Sequence, residues 1–197
     1  GGLLSTAGNL VFQGNADEEF VAYDAATGER LWAAPTQTGV LAPPVTYSVE
    51  GEQYVAVVAG WGAVTVNFLG PVTNPEGTKR NISRILAFKL GGNAELPPKP
   101  ALPESGEPPA DFGLDTQIAA GASLFTRYCS VCHGVAAVSG GALPDVRHSA
   151  IVGSADAFRS VVLEGAYEDR GMAGFAEVLS TEDAEAIRAY IARQANQ

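Results

Sequence analysis

The sequence predicts two modules of different class, an all-β module followed by an all-α module. Three observations carry this. Residues 1–90 break into short runs rich in valine, aromatics and threonine, separated by turn residues, which is the pattern of strands. Residues 114–197 instead place apolar side chains at helical spacing behind Asp and Ser start signals. Between them, six of the chain's twelve prolines fall from Pro97 to Pro109, mixed with Gly, Glu and Ser. Such a stretch (residues 91–113) builds neither helix nor central strand and reads as an extended, semi-rigid linker.

Strands are expected at Asn9–Gln13, Phe20–Asp24, Arg30–Ala33, Val45–Val49, Tyr54–Ala59 and Arg84–Leu90, with turn signals at Gly14-Asn15, Ala26-Thr27-Gly28 and Glu50-Gly51. Short strands and tight turns fit a sandwich, barrel or propeller. Six strands alone would leave sheet edges open. In the second module, Asp115 is the expected N-cap of a helix with Ile118, Ala122 and Phe125 on one face and Gly121 beside them. Phe158, Val161 and Val162 mark a second helix. Ser180 with Asp183 resembles a capping box opening a last helix, which carries Ala184, Ile187 and Ile191 with Tyr190 adjoining. Gly121 is expected to admit a close crossing by Tyr190, with Phe125 and Tyr190 as core.

Twenty-two acids against twelve bases give a net charge of −10, evenly divided between the halves. That balance excludes nucleic acid as a partner, since phosphate binding needs clustered Lys and Arg. It leaves two readings, steering of a basic redox partner or plain solubility. No apolar run approaches the 18 or so residues needed to cross a bilayer. With no initiator Met and no basic-plus-apolar leader, the chain is expected to be processed or a fragment.

Both cysteines lie in Cys129-Ser130-Val131-Cys132-His133, the attachment signature of c-type haem. Two thiols three positions apart can form thioethers to one porphyrin, and the following histidine is placed under the iron. Three alternatives stand beside this. A redox disulfide belongs to a βαβ context that is missing here; a zinc site wants four Cys/His ligands and only His148 remains; the third is chance. The second axial ligand is expected to be Met172, the single methionine, set 39 positions after His133 between Gly171 and Ala173-Gly174. The alternative for Met172 is a gap-filling core residue.

Residues 111–197, with their first helix, Cys129–His133, the loop Gly141-Ala142-Leu143-Pro144-Asp145, the Met172 loop and the last helix, resemble the cytochrome c family. The resemblance implies that the Pro144 carbonyl accepts a hydrogen bond from His133 and that Arg147 pairs with a haem propionate, the alternative being a solvated surface charge. His148 is expected at the surface. Covalent haem implies a periplasmic location.

The segment Ala22-Tyr23-Asp24-Ala25-Ala26-Thr27-Gly28-Glu29-Arg30-Leu31-Trp32 resembles the tryptophan-docking repeat of quinoprotein dehydrogenase propellers. Thr6–Phe12 and Gly51–Val55 match the closing blades. The whole chain is then similar to the C-terminal portion of the quinohaemoprotein alcohol dehydrogenase family. The implied fold is the closing blades of an incomplete eight-bladed β-propeller (1–90), a linker (91–113) and a cytochrome c domain (114–197). Trp32 is implied to stack between blades. Gly60-Trp61 matches a pair that contacts pyrroloquinoline quinone (PQQ), the alternative for Trp61 being packing between blades. Also implied for the full-length enzyme are Ca²⁺, oxidation of primary alcohols to aldehydes, and relay through haem c to a copper protein, a cytochrome or a membrane cytochrome subunit. Most blades are missing, and no acid in residues 1–90 matches the catalytic base. The chain alone is therefore expected not to oxidise alcohols, its partner being the absent N-terminal propeller portion. The rival reading is a stand-alone mono-haem electron-transfer protein with a β docking module.

Overall fold

The computed structural model describes residues 1–62, 68–77, 80–101 and 108–197, which fall into two compact units. Residues 1–62 and 80–101 form a strand unit, and residues 68–77 and 108–197 form a helical unit. This division departs from the expected boundaries in two places. The segment 68–77, inside the expected β module, belongs to the helical unit. The expected linker is also divided: residues 91–101 go with the strand unit, where Gln37 donates to the Pro97 carbonyl (3.1 Å) and Lys99 pairs with Glu18 (2.7 Å). Residues 102–107 of that linker lie outside the described residues.

The strand unit holds two antiparallel meanders. One is β1 (Leu3–Ser5), β2 (Leu10–Gly14), β3 (Glu19–Asp24) and β4 (Arg30–Pro35); the other is β5 (Val45–Val49), β6 (Glu52–Ala59) and β7 (Arg84–Phe88). All six expected strands form, with shifts at their ends. β1, three residues long, was too short to show as a pattern. Phe20, Val40, Val55, Val57 and Ala59 are the core, with Phe12 and Phe88 against it. Trp32 lies edge-on to Phe20 of β3 (6.2 Å) and to Phe88 of β7 (5.3 Å), so its indole touches both sheets. That is a packing role.

The turn after β3 shows why its residue types are needed. Asp24 Oδ1 accepts from the N–H groups of Ala26 (2.8 Å) and Thr27 (2.9 Å) and from the Thr27 hydroxyl. Gly28 follows at φ +75°, a conformation that a side chain would strain. The N–H groups of Thr27 and then Ala26 hold the Asp24 carboxyl below its ordinary 3.8. A lowered acid stabilises above its unfolded value, near ~4, and loses that contribution as pH falls through the folded value. Asp24→Asn should therefore be less stable than wild type at neutral pH, and the gap should close under acid. Denaturant midpoints at several pH values check this, and a pH-independent gap contradicts it.

In the helical unit, α1 (Asp115–Tyr128), α2 (Ala155–Val162) and α3 (Thr181–Ala195) surround a core containing Phe125, Val152, Phe158 and Ile187. The expected cap at Asp115 is corrected by one position. Leu114 is the N-cap with no side-chain bond, and Asp115 sits in the first turn, where its charge faces the helix dipole. The α3 capping box is present: Ser180 Oγ accepts from Asp183 N (3.1 Å), and the Asp183 carboxylate accepts from Ser180 N (3.0 Å). The crossing partner of Gly121 also differs from expectation. It faces the backbone of Ala186, while Tyr190 packs on Phe125 with ring centroids 5.4 Å apart. Among the described residues no helix is long and apolar enough to cross a membrane.

Candidate functional site

α1 delivers the cysteine motif. Cys129 ends the helix, its N–H bonded to the Phe125 carbonyl (2.8 Å), and Ser130–His133 makes one further helical turn. Cys132 N (3.1 Å) and His133 N (2.9 Å) both donate to the Cys129 carbonyl. Positions i and i+3 of a helical turn share a face, so the two thiols project side by side. Neither is in a disulfide; Cys129 is buried and Cys132 exposed. Burial, then the neighbouring Cys132, pushes the Cys129 thiol up to about 12, so it stays protonated at neutral pH and is a weak nucleophile. Among the described residues no group of three or more His, Cys, Asp or Glu side chains gathers as a metal cluster would.

His133 is half-buried, and its Nδ1 lies 3.3 Å from the Pro144 carbonyl, the pairing that the resemblance implied. With the proton assigned to Nδ1 as donor, Nε2 keeps a free lone pair. Burial lowers the His133 value, opposed by the Pro144 carbonyl and Asp145, and favours the neutral ring, the form that ligates iron. Met172 follows Gly171, which is left-handed, and packs against the same apolar cluster that contains Cys129. Around the motif, Val131, Val135 and Leu143 are exposed, and Tyr128, Leu163, Met172 and Phe175 are only partly covered. Paired thiols, an oriented neutral imidazole, a thioether and uncovered apolar side chains are the donor set and surroundings that a covalently attached haem needs, so these residues fit it.

Arg147 has close partners of its own. Its Nε and Nη2 face the two Asp145 oxygens (3.0 and 2.9 Å), and Nη2 also donates to the Pro75 carbonyl (3.0 Å). That ion pair, largely covered, was missed in the sequence, although an Asp two positions before an Arg is a visible signal. His148 is exposed, its Nε2 3.2 Å from the Glu76 carbonyl.

In the strand unit, Gly60 N donates to the Gly39 carbonyl (2.9 Å) and Trp61 N to Asn81 Oδ1 (2.7 Å). Trp61 is 7% exposed, and its ring lies so close to Gly39 that a side chain there would collide at 2.7 Å. One face of the indole is thereby committed to packing.

Residues 1–55 match the β-propeller domain of glucose/ethanol/alcohol dehydrogenases, and residues 116–191 match cbb3-type cytochrome c oxidase subunit III. Among curated proteins, the quinohemoprotein alcohol dehydrogenase ADH-IIG of Pseudomonas putida is 44% identical over all of this chain and 27% of its own length. The dehydrogenase subunit of the quinone-dependent alcohol dehydrogenase of Gluconobacter oxydans is 42% identical over all of this chain and 26% of its length. The solved structure of ADH-IIG superposes with a TM-score of 0.89 at 42% identity, covering all of this chain and 28% of that one. That of the Comamonas testosteroni quinohemoprotein alcohol dehydrogenase gives 0.76 at 36%, again over all of this chain and 28% of that one. The chain thus spans about a quarter of the length of the relatives it matches.

Proposed function

Because the chain belongs, along its whole length, with the C-terminal part of the quinohaemoprotein alcohol dehydrogenases, we propose that it is the electron-exit end of such an enzyme. Cys129 and Cys132 would attach haem c, and His133 and Met172 would supply ligands to its iron. The observation that carries this is the helical turn bearing both thiols, with the His133 ring already held through Nδ1 by Pro144. The chemistry supplied by the bound groups is oxidation of a primary alcohol to an aldehyde at PQQ and one-electron relay at haem c.

What this chain's residues do is hold and tune. Pro144 fixes the His133 tautomer and ring plane, as second-shell partners of metal ligands do. The neutral thioether of Met172 would favour the reduced state of the iron and so raise its potential. Arg147, pinned by Asp145, is assigned to the propionate edge. Gly60 and Trp61 form part of the PQQ wall in the whole protein, with Asn81 fixing the Trp61 backbone and Gly39 backing its ring. The Ca²⁺ carboxylates and the base that takes the substrate proton belong to the part of the enzyme outside residues 1–197. The location is periplasmic, and the acceptor is a small copper protein, a cytochrome or a membrane cytochrome subunit.

The purified chain, matured with haem, should show a c-type spectrum that survives acid–acetone extraction. In the oxidised protein a weak band toward the red end of the spectrum reports sulfur on the iron. Met172→Ala should remove that band while leaving haem attached. A band that persists in the variant rejects Met172 as ligand.

A further inference from the structure

Residues 68–77 join β6 to β7 in sequence yet pack in the helical unit. They do so at several successive points, all on residues 138–148. Gly70 approaches so closely that an added Cβ would stand 2.1 Å from the Val138 carbonyl. Asn74 is 2% exposed and its side-chain amide donates to the Ser139 carbonyl (2.9 Å). The Pro75 carbonyl accepts from Arg147 (3.0 Å), and the Glu76 carbonyl lies 3.2 Å from His148 Nε2. At Gly77, φ +68°, a Cβ would meet Asp145 Oδ2 at 2.5 Å. A connecting loop ordinarily runs over the surface with its polar groups in water. A nearly fully buried Asn paired with a carbonyl 65 positions away is a different arrangement.

The residues that this segment grips are those that flank Pro144. Ser139 N donates to Asp145 Oδ2 (3.0 Å), and the Ser139 hydroxyl donates to the Leu143 carbonyl and accepts from Gly141 N (3.0 Å). Asp145 Oδ1 also accepts from Arg147 N (3.1 Å). Leu143 and Asp145 are therefore both tied down, and the Pro144 carbonyl between them meets His133 Nδ1. Bonds linked in this way rigidify together.

We propose that residues 68–77 are a positioning strap, anchored by Asn74, that sets the plane of the His133 ring through Ser139, Asp145 and the Pro144 carbonyl. The proposal rests on reading His133 as the axial ligand. The strap starts seven positions after Trp61, so the residue assigned to the PQQ wall and the device orienting the haem ligand lie on one β6–β7 connection.

The test uses the full 197-residue chain matured with haem. Wild type must first show covalent haem; without it the haem reading itself falls, whatever the strap does. Asn74→Asp keeps size but turns a donor into an acceptor facing the Ser139 carbonyl, and Asn74→Ala removes the group. Both variants should retain covalent haem in full. In the oxidised protein the haem-methyl resonances, whose order follows the ligand plane, should be rearranged in both. Amide protection should fall in residues 139–147 and stay intact in α1 and α3. A wild-type resonance order in either variant overturns the proposal. So does protection lost throughout the helices, which would make Asn74 a general folding residue.

Discussion

A chain with both Cys129 and Cys132 replaced by alanine should lose all its haem to acid–acetone, while wild type keeps it. The attachment is two thioether bonds, and no other cysteine can replace them. What remains in the double variant is coordination by His133 and Met172, which acid protonation of the imidazole breaks. Single variants keep one thioether and should retain haem in reduced yield. The loss should also reach the fold. Val131, Val135 and Leu143 are exposed and Met172 and Phe175 are half-covered, apolar surface that a haem face would take out of water at about 25 cal/mol per Å². Haem tethered to the chain can be buried against these side chains and ligated by His133 and Met172 only in the native state, so the haem-free variant should melt well below the loaded protein. Extraction, haem staining after denaturing electrophoresis and calorimetry read the three effects. If haem in the wild-type chain is extractable, the attachment assignment is wrong.

Much of the architecture was visible because it is locally encoded. Asp24, Thr27 and Gly28 build their turn among themselves, and Ser180 and Asp183 cap α3 across three positions. The haem motif is likewise contained in one helical turn. The strap was not visible, and the reason is physical. Its partners stand 65 and 72 positions away and three of its bonds end on the carbonyls of Pro75, Glu76 and Ser139, groups that every residue type carries. The stretch carries Pro71 and Pro75 around a helical turn at Gly70–Thr73, and nothing in that local pattern announces which unit it joins. The Asp145 partner of Arg147 is a different case: it lies only two residues away, so the pair is locally encoded, yet neither residue type alone says that the carboxylate rather than water receives the guanidinium. At Gly121 the close crossing was legible and the partner was not, because a glycine signals approach without naming what approaches.

That crossing gives the second large effect, Gly121→Ala. A Cβ at Gly121 would stand 1.9 Å from the Ala186 carbonyl oxygen, 2.5 Å from its carbon and 3.1 Å from Ile187 N. All three are backbone atoms of α3, so no side chain can rotate away and the helices themselves must separate. Two terms oppose each other. Alanine favours the helix over glycine by about 1 kcal/mol. Forcing atoms into a packed contact costs roughly 1–3 kcal/mol and more where the neighbour cannot yield, which is the case here. The steric term wins, and the helical unit should lose about 2 kcal/mol, or roughly 10 °C in Tm for a unit of this size. Gly153 supplies the control, since an added Cβ there meets nothing within 4 Å and Gly153→Ala should melt near wild type. The displacement should also be felt at the haem, because α1 runs directly into Cys129 through its bond to Phe125. Moving α1 away from α3 moves the first attachment point, so Gly121→Ala should mature with less covalent haem as well as melting lower. A variant as stable and as fully loaded as wild type would show that α1 and α3 have room to part, and that their contact does not hold the cysteine motif in place.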